Sequence, residues 1–297
     1  MKQDFPKLGI AVLCRLFGKT RHAYYDSLWR KENSLVKEDV ILQEVINIRK
    51  DLPRLGTRKL HYLVQNKLIS HQIAFGRDYL FDLLSEHKLL IRQRKRKAIT
   101  TDSRHWMRKY SNLVKGLEIT RPEVSDITYI RLTNQWGYLS LITDAYSRKI
   151  MGYSFRQDLA AEGCIEALKM ALNNKLYNQS IIHHSDRGSQ YCSHNYVDLL
   201  LNNNIAISMT ENGDPYENAL AERVNGIIKT EFNLYSSSLG FEQTGYQISK
   251  SIMSYNELRP HASCDYLTPN QTHLQSEILN KRWKNYHKSF NHEKTVV

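Results

Sequence analysis

The chain has 297 residues, 41% of them hydrophobic, and a formal net charge of +12. That is enough apolar content for two or three small domains, or one large one with an appendage, and too much for a disordered chain. No run of eighteen apolar residues is present, which excludes a membrane-spanning helix, and the start, MKQDFPKLGIAVLCRLFGKT, carries charge on both sides of a very short apolar run and does not read as a signal peptide.

Cys14, Cys164, Cys192 and Cys264 lie far apart, with no C-x-x-C pair. A disulfide framework or a zinc ribbon is therefore not expected, and free thiols in a reducing cytoplasm are. The charge is segregated. Residues 1–110 hold 24 basic and 11 acidic residues, and the remainder holds 18 and 19. A basic module joined to a near-neutral one suggests a nucleic-acid grip followed by a catalytic body.

Residues 8–30 read as a helix, a turn at Gly18 and a second helix. Residues 36–50 place Val40, Ile41, Val45 and Ile48 at helical spacing. LGTRKLHYLVQNK starts another helix after Gly56, with Thr57 as its N-cap, and residues 76–90 form a further amphipathic one. Short helices joined by tight turns are the build of helix-turn-helix modules. The run IRQRKRK follows, with Arg92, Arg94, Lys95, Arg96 and Lys97. Such like charges repel unless an anion lies nearby, so these five are candidate DNA-phosphate contacts at a domain boundary. A solvated linker is the competing reading.

After residue 120 the pattern changes. VSDITYIRLT, YLSLITDAYS and KIMGYSFR read as three strands in an antiparallel meander, with Trp136 at a hairpin turn. Helix, strand, helix, strand and helix then alternate through residue 232. The order βββ-α-β-α-β-α predicts an α/β fold with a mixed sheet and flanking helices, and it resembles the ribonuclease-H-like fold. The expected organisation is a helical, helix-turn-helix-like DNA-binding region at 1–98, a linker at 99–119, a core at 120–275 and a basic tail at 276–297.

Asp126 falls inside the first strand, where aspartate is a poor fit by propensity. Asp186 falls where the strand SIIHHSD ends, and strand ends of open sheets collect ligand sites. Glu222 lies in the helix NALAERVNGIIKTEF. Three gathered carboxylates oppose folding, but Mg²⁺ prefers such hard oxygen ligands, and two ions serve in-line phosphoryl displacement. Mn²⁺ suits the same ligands. His183 and His184 read as packing residues, Gly188 as permitting an unusual turn, Gly213 and Pro215 as a mobile loop, and Asn218 as a helix cap. Arg259 and His261 read either as phosphate contacts or, with Tyr255, as a packed helix end.

SDITYI, HHSDRGSQY, ENGDPYENALAERVNGIIKTEF, YNELRPH and LTP, in this order, resemble the integrase-type core of the insertion-sequence-three family of transposases, over residues 120–275. CRLFGKTRHAYY and RLGTRKLHYLVQNK extend the resemblance more weakly towards the start. By this resemblance Asp126, Asp186 and Glu222 are a DDE triad that holds two Mg²⁺ or Mn²⁺ ions, and Lys229 contacts DNA. The implied activity is 3′-end cleavage and strand transfer of an insertion sequence. The implied partners are element ends and target DNA, a homo-oligomer on DNA, and an upstream-frame polypeptide, joined by frameshift fusion. A cytoplasmic, nucleoid-associated location follows. A nuclease that cuts without joining, and an inactive or regulatory DNA-binding derivative, remain as alternatives. Two departures from the family pattern stand out. No Trp precedes Asp126 and the run before it is a few residues short, and Cys264 and Asp265 replace a Leu-Gly pair.

Overall fold

A computed structural model of the chain describes residues 6–91, 106–114, 123–132, 135–174, 181–211, 218–234 and 239–275. The chain divides into two compact units, one of Met1–Lys50 with Gly56–Ile91, the other of Asp51–Leu55 with Arg92–Val297. The sequence-predicted run Arg92, Arg94, Lys95, Arg96 and Lys97 lies outside the described residues, as do Gly213 and Pro215.

The first unit is helical: α1 (Ile10–Leu16), α2 (Arg21–Asp51), α3 (Thr57–Leu68) and α4 (Arg77–Glu86). Gly18 ends α1 in the left-handed region at φ 63°, with Lys19 N–H reaching the Cys14 carbonyl at 2.8 Å. This is the glycine turn the sequence announces. The Thr20 hydroxyl then caps α2 by accepting from Ala23 N–H at 3.0 Å. Two helices were expected between residues 21 and 50, but α2 runs through both. No Gly or Pro interrupts the segment, so nothing in the backbone stops it. The cap of α3 is also corrected. Gly56 occupies that position, and Thr57 is the buried first helical residue. Lys67 of α3 pairs with Glu44 at 3.1 Å, and Tyr79 of α4 donates to Glu38 at 3.0 Å, so both helices pack on the second half of α2.

In the second unit β1 (Glu123–Arg131), β2 (Trp136–Asp144) and β3 (Ile150–Arg156) form the predicted meander. They are followed by α5 (Ala161–Asn173), β4 (Ile182–Ser185), α6 (His194–Asn202), β5 (Ala206–Met209) and α7 (Ala219–Glu231). The sheet order is β3-β2-β1-β4-β5. β1 and β2, and β2 and β3, pair antiparallel, whereas β4 runs parallel to β1 and to β5. The structure adds α8 (Phe241–Glu257) and α9 (Pro269–His273). Among the described residues no helix is long and apolar enough to cross a membrane.

One face of the sheet packs on α5 and α6 through Ile142, Met151, Cys164, Leu168, Tyr196, Leu200 and Ile207. The other face receives α7, whose Ala221 meets Ala145. Residues alternate between the faces along each strand, so Ile127 turns towards α5 and Asp126 towards α7. The four cysteines are free and buried. Burial pushes the Cys164 thiol up to about 12, which leaves it unreactive.

The α5 backbone approaches β3 closely at Gly152, where a Cβ would collide with the Ala167 carbonyl oxygen and stand 2.7 Å from the Ala171 nitrogen. Both neighbours are backbone and cannot swing aside. Gly152→Ala is therefore expected to destabilise the fold by about 1–3 kcal/mol or more, read as a lower urea midpoint. An unchanged midpoint would exclude this contact.

Candidate active site

The register of two parallel strands brings the first two carboxylates together. Val124 of β1 lies beside His184 of β4. Asp126 is two residues beyond the first and Asp186 two beyond the second, so both fall at the same level and on the same face. Neighbouring strands are about 4.8 Å apart. The sheet therefore sets these carboxylates side by side, although sixty residues separate them in the chain.

Helix α7 supplies the remaining groups. Asn225 Nδ2 donates to Asp126 Oδ2 at 2.9 Å. Glu222, three residues earlier, and Lys229, four later, lie on the same side of the helix. Glu222 is exposed and Lys229 half-buried. Burial lowers the Lys229 pKa, and the Asp126 charge acts against that shift. Asn225 is buried, and among the described residues its Oδ1 has no hydrogen-bond partner. Its position one turn after a predicted helical carboxylate was the signal that sequence reading missed.

Each aspartate is also held by backbone. Ile127 N–H donates to Asp126 Oδ1 at 2.9 Å, and Gly188 N–H donates to Asp186 Oδ1 at 2.9 Å. A turn does start at Gly188, whose carbonyl accepts from Tyr191 N–H at 3.1 Å, but its backbone stays outside the left-handed region. Its constraint is space, because a Cβ there would stand 3.0 Å from Asp186 Oδ1 and 3.2 Å from Gln190 Oε1. Asn218 sits at the N-cap of α7 without a side-chain cap bond.

The Asp126 carboxyl is pushed up to about 7, first by burial and next by the Asp186 charge. The Asn225 hydrogen bond opposes the rise and Glu222 adds to it. In an unfolded chain the value is about 3.9. The folded state thus binds this proton more tightly. Metal-free protein should lose stability as pH rises from about 4 to about 7. Asp126→Asn should remove that dependence and stabilise the protein at about pH 8 by up to a few kcal/mol. Urea titrations in chelator at about pH 5 and about pH 8 compare the two proteins. The same pH response in both would overturn the raised pKa.

Does the site suit a divalent ion? The donor chemistry does, because the oxygens are hard and a cation would relieve the repulsion that raises Asp126. The set is not closed. Among the described residues no three His, Cys, Asp or Glu side chains are gathered to hold a metal. The two aspartates are adjacent, while Glu222 stays exposed on the first turn of α7.

The histidines beside Asp186 are structural. His183 bonds the Tyr196 hydroxyl at 2.9 Å, and burial with the neighbouring His184 pushes its pKa down to about 3. His184 bonds Ser208 at 2.8 Å. Trp136 opens β2 and is 46% exposed.

The phosphate-contact reading of Arg259 and His261 is corrected. Arg259 is 1% exposed and grips Glu231 with two hydrogen bonds of 2.7 Å. His261 is 7% exposed and bonds Ser263 at 2.8 Å. Tyr255, fully buried, donates to the Arg148 carbonyl. The R-P-H segment is a packed helix end because its guanidinium finds a carboxylate inside the protein. The LTP motif is helix-start chemistry: Thr268 and Gln271 form a capping box around Pro269. Cys264 is buried, and Asp265 takes the left-handed region at φ 53°. That is the conformation the family's glycine suits, and Asp tolerates it at modest cost.

The integrase core domain family matches the chain at residues 124–215, and a second integrase core domain family at residues 203–269. The insertion element IS600 uncharacterized 31 kDa protein of Shigella sonnei is 30% identical over 269 residues, covering 86% of this chain and 96% of that protein. The chain belongs to the insertion-sequence-three family of transposases. The transposase InsF for insertion sequence IS3A of Escherichia coli (strain K12) is 34% identical over 147 residues. That match covers 49% of this chain and 51%, about half, of InsF. Among solved structures, the HTLV-2 integrase catalytic core domain in complex with magnesium is 21% identical, with a TM-score of 0.42, over 53% of this chain and 99% of its own. The simian T-cell lymphotropic virus intasome gives 20%, 0.46, 74% and 75%. The five-stranded mixed sheet with helices on both faces is the ribonuclease-H-like fold expected of an integrase core domain.

Proposed function

We propose that this family member is an active DNA transposase, which cleaves 3′ ends of an insertion sequence and joins them to target DNA at one phosphoryl-transfer site. The observation that carries the reading is the parallel β1–β4 register, which sets Asp126 beside Asp186 on the face that α7 covers. Asp126, Asp186 and Glu222 are the residues that would hold Mg²⁺ or Mn²⁺. When bound, the metal activates the attacking oxygen and stabilises the leaving one.

The protein's own groups orient this chemistry. Asn225 fixes one oxygen of Asp126, and Gly188 N–H fixes one of Asp186. Lys229, on the same side of α7, would meet a phosphate of the bound DNA. The basic run Arg92, Arg94, Lys95, Arg96 and Lys97 would grip the backbone without reading sequence. Cleavage and joining differ only in the nucleophile, water in the first and a DNA 3′-hydroxyl in the second. Holding two element ends at once calls for at least two protomers.

The test is joining in vitro. Terminal DNA pre-cut to a 3′-hydroxyl is mixed with protein and Mg²⁺, and joined strands are counted for this chain and for its fusion to the upstream frame. Joined product supports the reading. Cleavage of ends with no joining in either form would make the protein a nuclease. Binding with neither activity would make it a regulatory derivative.

A further inference from the structure

The first half of α2 carries an apolar stripe that the described residues of the helical unit leave uncovered. Tyr25, Leu28, Trp29, Leu35 and Val36 are 52%, 43%, 66%, 55% and 64% exposed. No described side chain of α2 before Ile41 is buried. At ~3.6 residues per turn these five side chains share one side of the helix. The buried Ile41, Val45 and Ile48 point to the opposite side, about half a turn round. The stripe is therefore no extension of the face that packs on α3 and α4.

A helix half with none of its described side chains buried is marginal in water. A Trp and three aliphatic side chains held on one exposed line point to a partner helix. The charges at its ends indicate which one. Arg21 and Asp39, both exposed, stand on the stripe side at its two ends, about five turns apart. A second copy laid end for end places Arg21 opposite the partner's Asp39, and the same pair recurs at the other end. In that register Tyr25 faces the partner's Leu35. A parallel pair would instead set like charges together at both ends. Glu32 interrupts the stripe at its middle, so the pairing is of moderate strength.

We propose that α2 is a self-association helix, docking antiparallel on α2 of a second copy through Tyr25, Leu28, Trp29, Leu35 and Val36, with Arg21 paired to Asp39 at each end. This contact is independent of the catalytic reading and forms without DNA or metal.

Sedimentation velocity of the full chain over a concentration series, without DNA, tests it. Wild type should dimerise. The double variant Leu28→Asp, Leu35→Asp should be monomeric with its helical circular dichroism retained. Arg21→Asp and Asp39→Arg should each weaken the dimer about tenfold, and the two together should restore it to within about threefold. These sites are exposed, so the swap variants test the contact without disturbing the fold. A wild type that stays monomeric would overturn the proposal and point to another kind of partner. So would a dimer that survives the Leu28, Leu35 variant, or charge swaps that fail to rescue each other.

Discussion

Asp186→Asn is expected to reduce strand joining by about 10³-fold or more, while DNA binding stays within about threefold. The change keeps size and shape, and the Gly188 N–H bond to Oδ1 survives in an amide. What is lost is the negative oxygen beside Asp126, and with it the hold on a divalent ion that the proposed mechanism requires. The same substitution should lower the pKa of Asp126, because the Asp186 charge is the second-largest cause of its rise. Two readouts therefore move together: joining falls, and the thermal shift caused by added Mg²⁺ shrinks. Joining at wild-type rate by Asp186→Asn would remove Asp186 from the site. Glu222→Gln gives the complementary test, because Glu222 is exposed and its loss should leave the metal-free protein as stable as before. Its effect on joining then reports chemistry alone.

Arg259→Ala is expected to cost about 3–5 kcal/mol of stability, the range for breaking a buried ion pair by removing one partner. Arg259 closes on Glu231, the last residue of α7, and its guanidinium lies 5.6 Å over the Tyr255 ring. The pair fixes the C-terminal end of the helix that carries Glu222, Asn225 and Lys229. Truncation strands the Glu231 carboxylate and opens a void beside Tyr255. Lys in its place keeps the charge but not the two-pronged bond, so Arg259→Lys should recover only part of the loss. Urea denaturation measures both, and a double-mutant cycle with Glu231→Gln isolates the pair. A phosphate contact predicts the opposite pattern: normal stability, weaker DNA binding and a shallower salt dependence. That outcome would return Arg259 to the DNA surface.

The sequence by itself determined the order of elements and the residue types of the site. Strand periodicity, β-branched composition and the turn residues marked β1 to β3. The alternation after them marked a mixed sheet, because local patterning is set by which side chains face a core. Asp126 was legible as a carboxylate out of place in a strand, and Gly18 as a turn, since both are local conflicts or local permissions. The sequence also misled where local signals were weak. It split α2 in two, although nothing in the backbone breaks it. It gave Gly188 an unusual backbone, where the structure shows a turn outside the left-handed region and a shortage of space.

Only the tertiary structure decided what meets what. The parallel β1–β4 register sets Asp126 beside Asp186, and a shift of one residue would turn one of them to the other face. Asn225 gained its part through a bond to a strand 99 residues away. Arg259 and His261 lost their place on the DNA surface for the same reason, since exposure belongs to the packed molecule and not to the residue. An arginine is a phosphate ligand or a buried strut according to whether a carboxylate waits inside. Glu231 does, held at the end of α7.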